Sequence, residues 1–257
     1  MDSGDIYKAK YEGLYCAGCE SFKDEKDLVD GLCPDHRKKP EWLEEEDYFF
    51  AWSKYQQQLE ALFDNNPQFV RPKARYNEMR AFLDRGIKDI PISRSLINWG
   101  IPVPDDPEQV IYVWFDALIN YLTGIGWNQP ELRDRYEQFW PANVHMVAKD
   151  IISKHSLLWP AMLMSAGLPV VQSCYSHGFF TKDGMKISKS IGNVIDPHEL
   201  IDTYGVDAFR YFFLREWTFG EDGDYRDERF AIRYQTDLAN DLGNLVSRVI
   251  AMIVKYR

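Results

Sequence analysis

The chain has 257 residues, of which 45% are hydrophobic and 15% aromatic, and its formal net charge is −10. This composition predicts a globular protein with a substantial core and excludes a largely disordered one. The acidic excess also excludes a general coat for nucleic acid, which needs an electropositive surface, although a local basic site remains compatible with it.

No targeting or membrane segment is predicted. Residues 1–5 contain neither a basic region nor an apolar one, so they do not form a signal peptide. The longest mostly apolar run, residues 157–171, is interrupted by two prolines and is shorter than the ~20 apolar residues of a membrane span. We therefore expect no membrane partner.

Three of the four cysteines stand in a metal-ligand pattern. Cys16, Cys19, Cys33 and His36 follow the spacing Cys-x2-Cys-x13-Cys-x2-His. Two close pairs of such ligands can complete a tetrahedron, so the spacing predicts one structural Zn²⁺ with no open position for water. Asp35 remains an alternative fourth ligand, and buried thiols without a metal remain the alternative to the whole site. Clustered cysteines in a chain of this length also fit a reducing compartment.

Two helices are predicted before the centre of the chain, over 54–63 and 74–83, and the first is ended by Asn65-Asn66-Pro67. Further on, residues 110–115 form a six-residue apolar run. Such a run, rich in β-branched and aromatic residues, is typical of a strand buried on both faces of a parallel sheet. Asp116 is then predicted to cap a helix over 117–122.

A second strand–helix unit follows, with a strand over 143–147, then Asp150, then a helix over 151–166. The alternation predicts an α/β fold, and the ligands of parallel sheets bind beyond the carboxyl ends of the strands. His155 shares one face of the second helix with apolar residues. By itself this position favours a buried core histidine.

Lys186 and Lys189 lie three residues apart in the sequence Met-Lys-Ile-Ser-Lys-Ser, which follows a predicted hairpin turn over 182–184. Glycines flank this stretch, so the pattern predicts a mobile cationic loop that can close on a phosphate. A solvated surface turn is the alternative. Beyond the loop, Asp196 is predicted to cap a helix that starts at Pro197, and a long helix with one apolar stripe is predicted from residue 229 to the end.

The stretch Lys186-Ile-Ser-Lys-Ser190 resembles the lysine signature loop of the class I aminoacyl-tRNA synthetases. The particular resemblance is to the methionyl-tRNA synthetases, and it rests on further segments. Other segments occur in that family's order, and the resemblance covers nearly the whole chain. They are the cysteine–histidine knuckle, Ile92–Arg94, Tyr112–Ala117, Lys149–Ile151, His155–Leu163, His177–Phe179 and Gly205–Tyr211.

The resemblance implies ATP-dependent ligation of methionine to tRNA(Met) through methionyl-adenylate, with ATP and Mg²⁺ as substrate. Each functional residue of the family is carried over by its matching motif. The catalytic residues would be Lys186 and Lys189, and ATP would be bound by Asp150, Lys186, Ser188 and Lys189. The substrate-binding residues would be Trp114, Ala117, Leu118, Tyr121, His155 and Arg94, and Arg94 would also pair with Asp150.

One family signature has no counterpart, because no two of the five histidines are three residues apart. The resemblance therefore implies an internal piece of a synthetase that is inactive by itself. Its fold would be a partial Rossmann-like parallel sheet with an inserted zinc-knuckle module and a C-terminal helical segment. The expected parts are a zinc knuckle over 1–40, the second half of the catalytic domain over 41–225 with the signature loop at 186–190, and the first helix of the anticodon-binding domain over 226–257.

Three questions stay open at this point. The chain could belong to a class I synthetase for another amino acid, or it could be a non-catalytic zinc-binding interaction fragment. The expected location is the cytoplasm of a bacterial-type cell, with an organelle as the alternative.

Overall fold

The computed structural model describes residues 3–16, 21–34, 37–95, 99–187 and 192–257, which divide into two compact units. The first unit comprises Met1–Val70, Tyr76–His145 and Ser153–Cys174, and the second comprises Arg71–Arg75, Met146–Ile152 and Tyr175–Arg257.

Strands and helices occur along the chain in runs of one or more elements of the same type. The strands are β1 Ile6–Cys16, β2 Ser21–Lys23, β3 Glu41–Phe50, β4 Val70–Arg71, β5 Ile90–Pro91, β6 Ser93–Arg94, β7 Pro102–Val103, β8 Asp106–Ile111, β9 His145–Ala148, β10 Cys174–His177, β11 Phe180–Lys182, β12 Met185–Lys186 and β13 Gly223–Tyr225. The α-helices are α1 Gln56–Asn65, α2 Lys73–Asp84, α3 Val113–Ala117, α4 Asn120–Thr123, α5 Arg133–Phe139, α6 Trp159–Ser165, α7 Pro197–Tyr204, α8 Val206–Arg215, α9 Asp227–Arg233 and α10 Gly243–Tyr256. Single 3₁₀ turns lie at Glu25–Asp27, Trp52–Tyr55 and Pro130–Leu132, and π-helical turns at Lys154–Leu158 and Tyr234–Leu242.

An antiparallel sheet of strand order β2-β1-β3-β5 opens the first unit. The ladder between β1 and β3 runs from the pair Ile6–Phe50 to the pair Tyr15–Glu41. The helices α1 and α2 confirm the two predicted before the centre of the chain. On α1, Leu59 and Phe63 are fully buried because their spacing of four residues places both on the core face.

The parallel strand predicted over 110–115 is wrong. Strand β8 ends at Ile111 and lies in an antiparallel sheet of order β6-β8-β7, and helix α3 begins at Val113. Asp116 therefore lies inside a helix, and Tyr112 is the capping residue. Asp105, at a positive φ of 65°, lies in the turn that folds β8 back on β7. Strand β8 therefore begins and ends nearer the N-terminus than the predicted strand. The remaining apolar residues fit a helix equally well, since a short apolar run does not distinguish the two structures.

Strands β4, β10 and β9 form a sheet in that order. The backbone N–H of His145 donates to the carbonyl of Ser173 at 2.9 Å, and that of Lys149 donates to His177 at 3.1 Å. The two bonds have the same sequence offset, so β9 and β10 run parallel. This confirms the predicted α/β fold with a parallel sheet, and β9 confirms the strand predicted over 143–147.

The second unit contains a sheet of order β12-β11-β13, in which β11 and β12 form a hairpin. Asp183 and Gly184, both at positive φ, make the predicted turn. Asp196 caps α7 as predicted, because its carboxylate accepts the N–H of His198 at 2.8 Å. Phe212, Tyr225 and Phe230 form the core of this unit.

The chain ends in a continuous helix from Asp227 to Tyr256, which confirms the long helix predicted there. Along α10 the apolar side chains of Leu245, Val249 and Ile253 are 60%, 46% and 53% exposed. Among the helices of the described ranges, none combines the length and hydrophobicity needed to cross a membrane.

Candidate active site

The first unit brings three of the predicted methionine-pocket residues together. The hydroxyl of Tyr121, on α4, lies 3.0 Å from Nε2 of His155, which is only 3% exposed. Trp114, on α3, meets the imidazole of His155 edge-on, with the ring centroids 6.2 Å apart. The two short helices after β8 therefore bring an indole and a phenol to the same buried imidazole.

The other two predicted pocket residues lie on the same helical stretch. Leu118 is buried, with 1% of its surface exposed, whereas Ala117 is half-buried. An apolar cavity of about 200 Å³ in this unit is lined instead by neighbours of these residues, including Phe115, Ile119 and Trp159. Ring contacts and one hydrogen bond thus bring Trp114, Tyr121 and His155 together, whereas the roles of Ala117 and Leu118 stay predictions.

His145 and Trp140 belong to the same cluster, although the sequence analysis did not single them out. The rings of His145 and Tyr121 are 4.2 Å apart, and those of His145 and Trp140 are 6.3 Å apart. His145 is 4% exposed, and neither ring nitrogen has a hydrogen-bond partner within the described part of the chain. The sequence feature that could have identified His145 is its position in the strand predicted over 143–147, which begins the second strand–helix unit.

The cluster is electrically neutral at His145 and Tyr121. Burial, and secondly the proximity of His155, lowers the pKa of His145 from 6.5 to about 4. Burial also raises the pKa of the Tyr121 hydroxyl, with a smaller contribution from Cys174. Burial raises the pKa of that thiol to about 12, and its Sγ donates to the carbonyl of His155 at 3.4 Å. The result at neutral pH is an aromatic environment with uncharged polar groups, which suits an apolar ligand that makes one polar contact.

Arg94 and Asp150 lie in different units. Arg94, on β6, is 4% exposed; its guanidinium donates to the carbonyl of Ser93 at 2.7 Å and lies 4.3 Å from the ring centroid of Tyr112. Asp150 is exposed and follows β9 by two residues. The pairing of these two residues stays a prediction.

The hairpin β11–β12 carries the start of the lysine loop. The backbone of Lys186 pairs with that of Thr181. The side chain of Lys186 and the whole of residues 188–191, including Ser188 and Lys189, lie outside the described structure. The roles predicted for these residues therefore stay predictions.

Two of the four predicted zinc ligands are described. Cys16 ends β1 and pairs there with Ser21 of β2. Cys33 lies in a tight loop, in which its carbonyl accepts the N–H of Arg37 at 2.7 Å. Both thiols are buried, with 2% and 0% of their surfaces exposed. Cys19 and His36 lie outside the described residues, and within the described ranges no group of three or more metal-binding side chains is present.

Comparison with known proteins identifies relatives over almost the whole chain. The family model described as "tRNA synthetases class I (M)" matches residues 8–250. The methionine–tRNA ligase of Synechocystis sp. is 49% identical over 259 residues, which cover 99% of this chain and 49% of the relative. The chloroplastic/mitochondrial methionine–tRNA ligase of Arabidopsis thaliana is 49% identical over 256 residues, which cover 98% and 42%. The chain thus spans about half the length of the curated relatives that it matches.

Solved structures agree with these relatives. Methionyl-tRNA synthetase of Mycobacterium tuberculosis in complex with methionyl-adenylate superposes with a TM-score of 0.87 at 45% identity, covering 99% of this chain and 50% of that one. The free state of the same protein superposes with a TM-score of 0.85 at 43% identity. The similarity therefore extends to the fold of both units as well as to the sequence.

Proposed function

Since the chain belongs to the methionine family of the class I tRNA synthetases, we propose that it carries part of the active site of a methionine–tRNA ligase. The ligase joins methionine to tRNA(Met) through methionyl-adenylate and uses ATP with Mg²⁺. The observation that carries the proposal for this chain is the hydrogen bond of 3.0 Å between Tyr121 and the buried His155.

The aromatic cluster is the proposed methionine pocket. The methionine side chain is flexible and polarisable, so it binds best between aromatic and aliphatic walls with one polar contact. Trp114 and Tyr121 supply the aromatic walls, Ala117 and Leu118 the aliphatic part, and His155 the polar contact. The hydroxyl of Tyr121 orients the imidazole, which restricts the positions that a ligand atom can take against it.

Activation needs little covalent chemistry from the protein. The methionine carboxylate attacks the α-phosphorus of ATP, the bond from that phosphorus to the bridging oxygen breaks, and pyrophosphate leaves. Lys186, Ser188 and Lys189 stabilise the charge on the departing phosphates. Asp150 holds the ribose side of ATP, and Arg94 is a further substrate-binding residue. The terminal ribose hydroxyl of the tRNA then attacks the acyl carbon, and AMP leaves.

The proposed organisation follows the same family. Residues 1–40 form the zinc knuckle, residues 41–225 the second half of the catalytic domain with the lysine loop at 186–190, and residues 226–257 the first helix of the anticodon-binding domain. We propose a cytoplasmic location, with an organelle as the alternative, because a site of reduced cysteines fits a reducing compartment.

Isotope exchange tests the proposed activity. The full-length protein is expected to catalyse methionine-dependent exchange of pyrophosphate into ATP, and Lys189→Ala is expected to lower kcat by about 100-fold because one charge stabiliser of the transition state is lost. Lys182→Ala, in the same hairpin, is the matched control and keeps its activity. Faster exchange with cysteine, leucine, isoleucine or valine than with methionine would assign the enzyme to another amino acid.

The zinc site is the second element of the proposal. The two described thiols, Cys16 and Cys33, are buried sulfur donors, which is the chemistry that a structural zinc ion requires. With Cys19 and His36 they would hold Zn²⁺ and tie the end of β1 to the loop that contains Cys33. No catalytic step uses this ion.

Elemental analysis of the purified protein tests the zinc site. One zinc per chain is expected, Cys16→Ser is expected to lose it, and Cys174→Ala, which changes a buried cysteine outside the set, is expected to retain it. Protein purified without chelators that contains no zinc contradicts the site.

A further inference from the structure

The position of the lysine loop depends on the hairpin that precedes it. Strand β11 pairs with β12 on one side and with β13 on the other, and the β11–β13 pairing is parallel. Thr181 lies at the centre of this small sheet, because its backbone pairs with Lys186 in β12 and with Asp224 in β13. Any displacement of β13 is therefore transmitted to the residue that begins the loop.

Asp224 fixes both a strand and the turn of the hairpin. Its Oδ1 accepts hydrogen bonds from the N–H of Gly184 at 2.6 Å and from the hydroxyl of Thr181 at 2.8 Å. Its Oδ2 accepts from Nε of Arg226 at 2.9 Å. These donors, that of Gly184 first, lower the pKa of Asp224 to about 2. The carboxylate thus stays charged and holds the turn at neutral pH.

Asp222 holds the beginning of the same hairpin. Its Oδ1 accepts the N–H of Phe179 at 2.9 Å, and its Oδ2 accepts from Nζ of Lys149 at 2.6 Å. The ammonium group of Lys149 also lies 4.8 Å from the ring centroid of Phe179, where a cation is attracted by the aromatic face. The hydrogen bond from Lys149 is the main cause of the lowered pKa of Asp222.

Lys149 connects this carboxylate to the end of the parallel sheet. It follows β9 directly and precedes Asp150, which the proposed function places on the ribose of ATP. Its backbone N–H donates to His177, two residues before Phe179. Lys149 therefore holds the start of the hairpin through its main chain, its ammonium group and its contact with an aromatic ring.

Two glycines leave this region little freedom to shift. A Cβ atom at Gly178 would lie 2.0 Å from the carbonyl oxygen of Glu221, and one at Gly223 would lie 2.6 Å from the indole ring of Trp217. The backbone segments on either side of Asp222 are therefore in contact with their neighbours. The carboxylate is held where it meets Phe179 and Lys149.

We propose that Asp222 is a positioning residue of the lysine loop, which acts through Lys149 and Phe179 to hold the hairpin in register with the strand end that carries Asp150. The inference rests on the proposed function, since the loop is taken to stabilise the departing phosphates. Asp222 does not touch substrate. It fixes the start of the hairpin relative to the strand end that carries Asp150, while Asp224 fixes the turn.

Kinetics of the full-length protein test this role. Asp222→Asn keeps an acceptor for the N–H of Phe179 but removes the charge that binds Lys149. Pyrophosphate exchange is expected to lose about tenfold or more in kcat, since small displacements of a charged group weaken transition-state stabilisation steeply. The KM for methionine is expected to stay unchanged, because the methionine pocket is built from other residues.

The matched control is Asp183→Asn. It removes one carboxylate from the turn of the same hairpin, and asparagine tolerates the φ of 53° found there. Its kcat is expected to equal that of the wild type. Equal kcat values for Asp222→Asn and Asp183→Asn overturn the inference.

A double-mutant cycle separates positioning from a direct role of Lys149. If Asp222 acts through Lys149, the variant Lys149→Met/Asp222→Asn is no slower than the slower single variant. Losses that multiply show that the two residues act separately and overturn the inference. A wild-type protein without methionine-dependent exchange is a different result: it overturns the proposed function, and the inference with it.

Discussion

Tyr121 contacts both histidines of the buried aromatic cluster. Its ring contacts the imidazole of His145, and its hydroxyl contacts that of His155. Because burial raises the pKa of Tyr121, the hydroxyl keeps its proton well above neutral pH. The hydrogen bond from this uncharged phenol is therefore one of the contacts that orient His155 in the proposed pocket.

Removal of that hydroxyl is expected to weaken methionine binding. Tyr121→Phe keeps the aromatic wall but loses the hydrogen bond to His155, which is worth about 1 kcal/mol, so the KM for methionine should rise about fivefold. The KM for ATP should not change. Tyr136→Phe, a half-buried tyrosine on α5 outside the cluster, is the control. Equal KM values for methionine in the two variants would show that the hydroxyl of Tyr121 does not contribute to methionine binding.

His145 makes stability depend on pH. Its folded-state pKa of about 4 lies below the ordinary 6.5, so the unfolded chain binds the proton more readily. The stability that neutral His145 contributes to the fold is complete above pH 6.5. It is lost as the pH falls towards 4, by up to about 3 kcal/mol. His145→Phe is expected to reduce the difference between the free energies of unfolding at pH 7 and pH 4. Urea unfolding measures both values.

The control for this prediction is His198→Phe, at an exposed position in α7. It should leave the pH dependence of stability as in the wild type. A pH dependence that is the same in His145→Phe and in the wild type would show that His145 is already able to bind a proton in the folded state.

Among the elements, α10 shows an apolar surface most clearly. Leu245, Val249 and Ile253 follow each other at four-residue intervals, which places them on one face of the helix, and all three are exposed. An exposed apolar stripe of this kind favours association of the helix with another apolar surface.

Self-association of the 257-residue chain through this stripe is expected. Replacement of Leu245 and Val249 by glutamine should lower the average mass that sedimentation measures over a rising series of protein concentrations. The control replaces Asn244 and Lys255 by glutamine, because both residues lie on a different face of α10 from the stripe. A wild-type chain that stays monomeric throughout the series contradicts the prediction.

Elements differ in how far their sequence determines them. Helix α7 was predicted correctly because its cap, Asp196, bonds to His198 only two residues away. The boundary between β8 and α3 was not, because residues 110–115 suit either structure and the pairing of β8 with β6 and β7 decides between them. Local hydrogen bonds can thus be inferred from neighbouring residues, whereas strand pairing cannot.

At the scale of the whole molecule, the net charge of −10 limits the kind of contact that the chain can make with a polyanion. Long-range attraction of tRNA needs positive potential, which this chain can supply only locally. The lysine loop is therefore expected to act at short range on phosphates that are already bound.

Chromatography checks this expectation. The chain at pH 7 should pass through a heparin column in low salt, whereas an anion exchanger should retain it as a control for its acidic surface. Retention on heparin at physiological salt would instead reveal an extended basic surface on the folded chain.

The sequence by itself determined what depends on residues close together in the chain. The motif around Lys186 indicated the family and its lysine loop, residues 182–184 predicted the hairpin turn, and the spacing of Cys16, Cys19, Cys33 and His36 predicted the ligands of a metal. Only the tertiary structure decided which distant residues meet. It placed His145 against Tyr121 and joined Lys149 to Asp222 across 73 residues. The physical reason is that such contacts form only when separate elements pack, so no local pattern of residues specifies them.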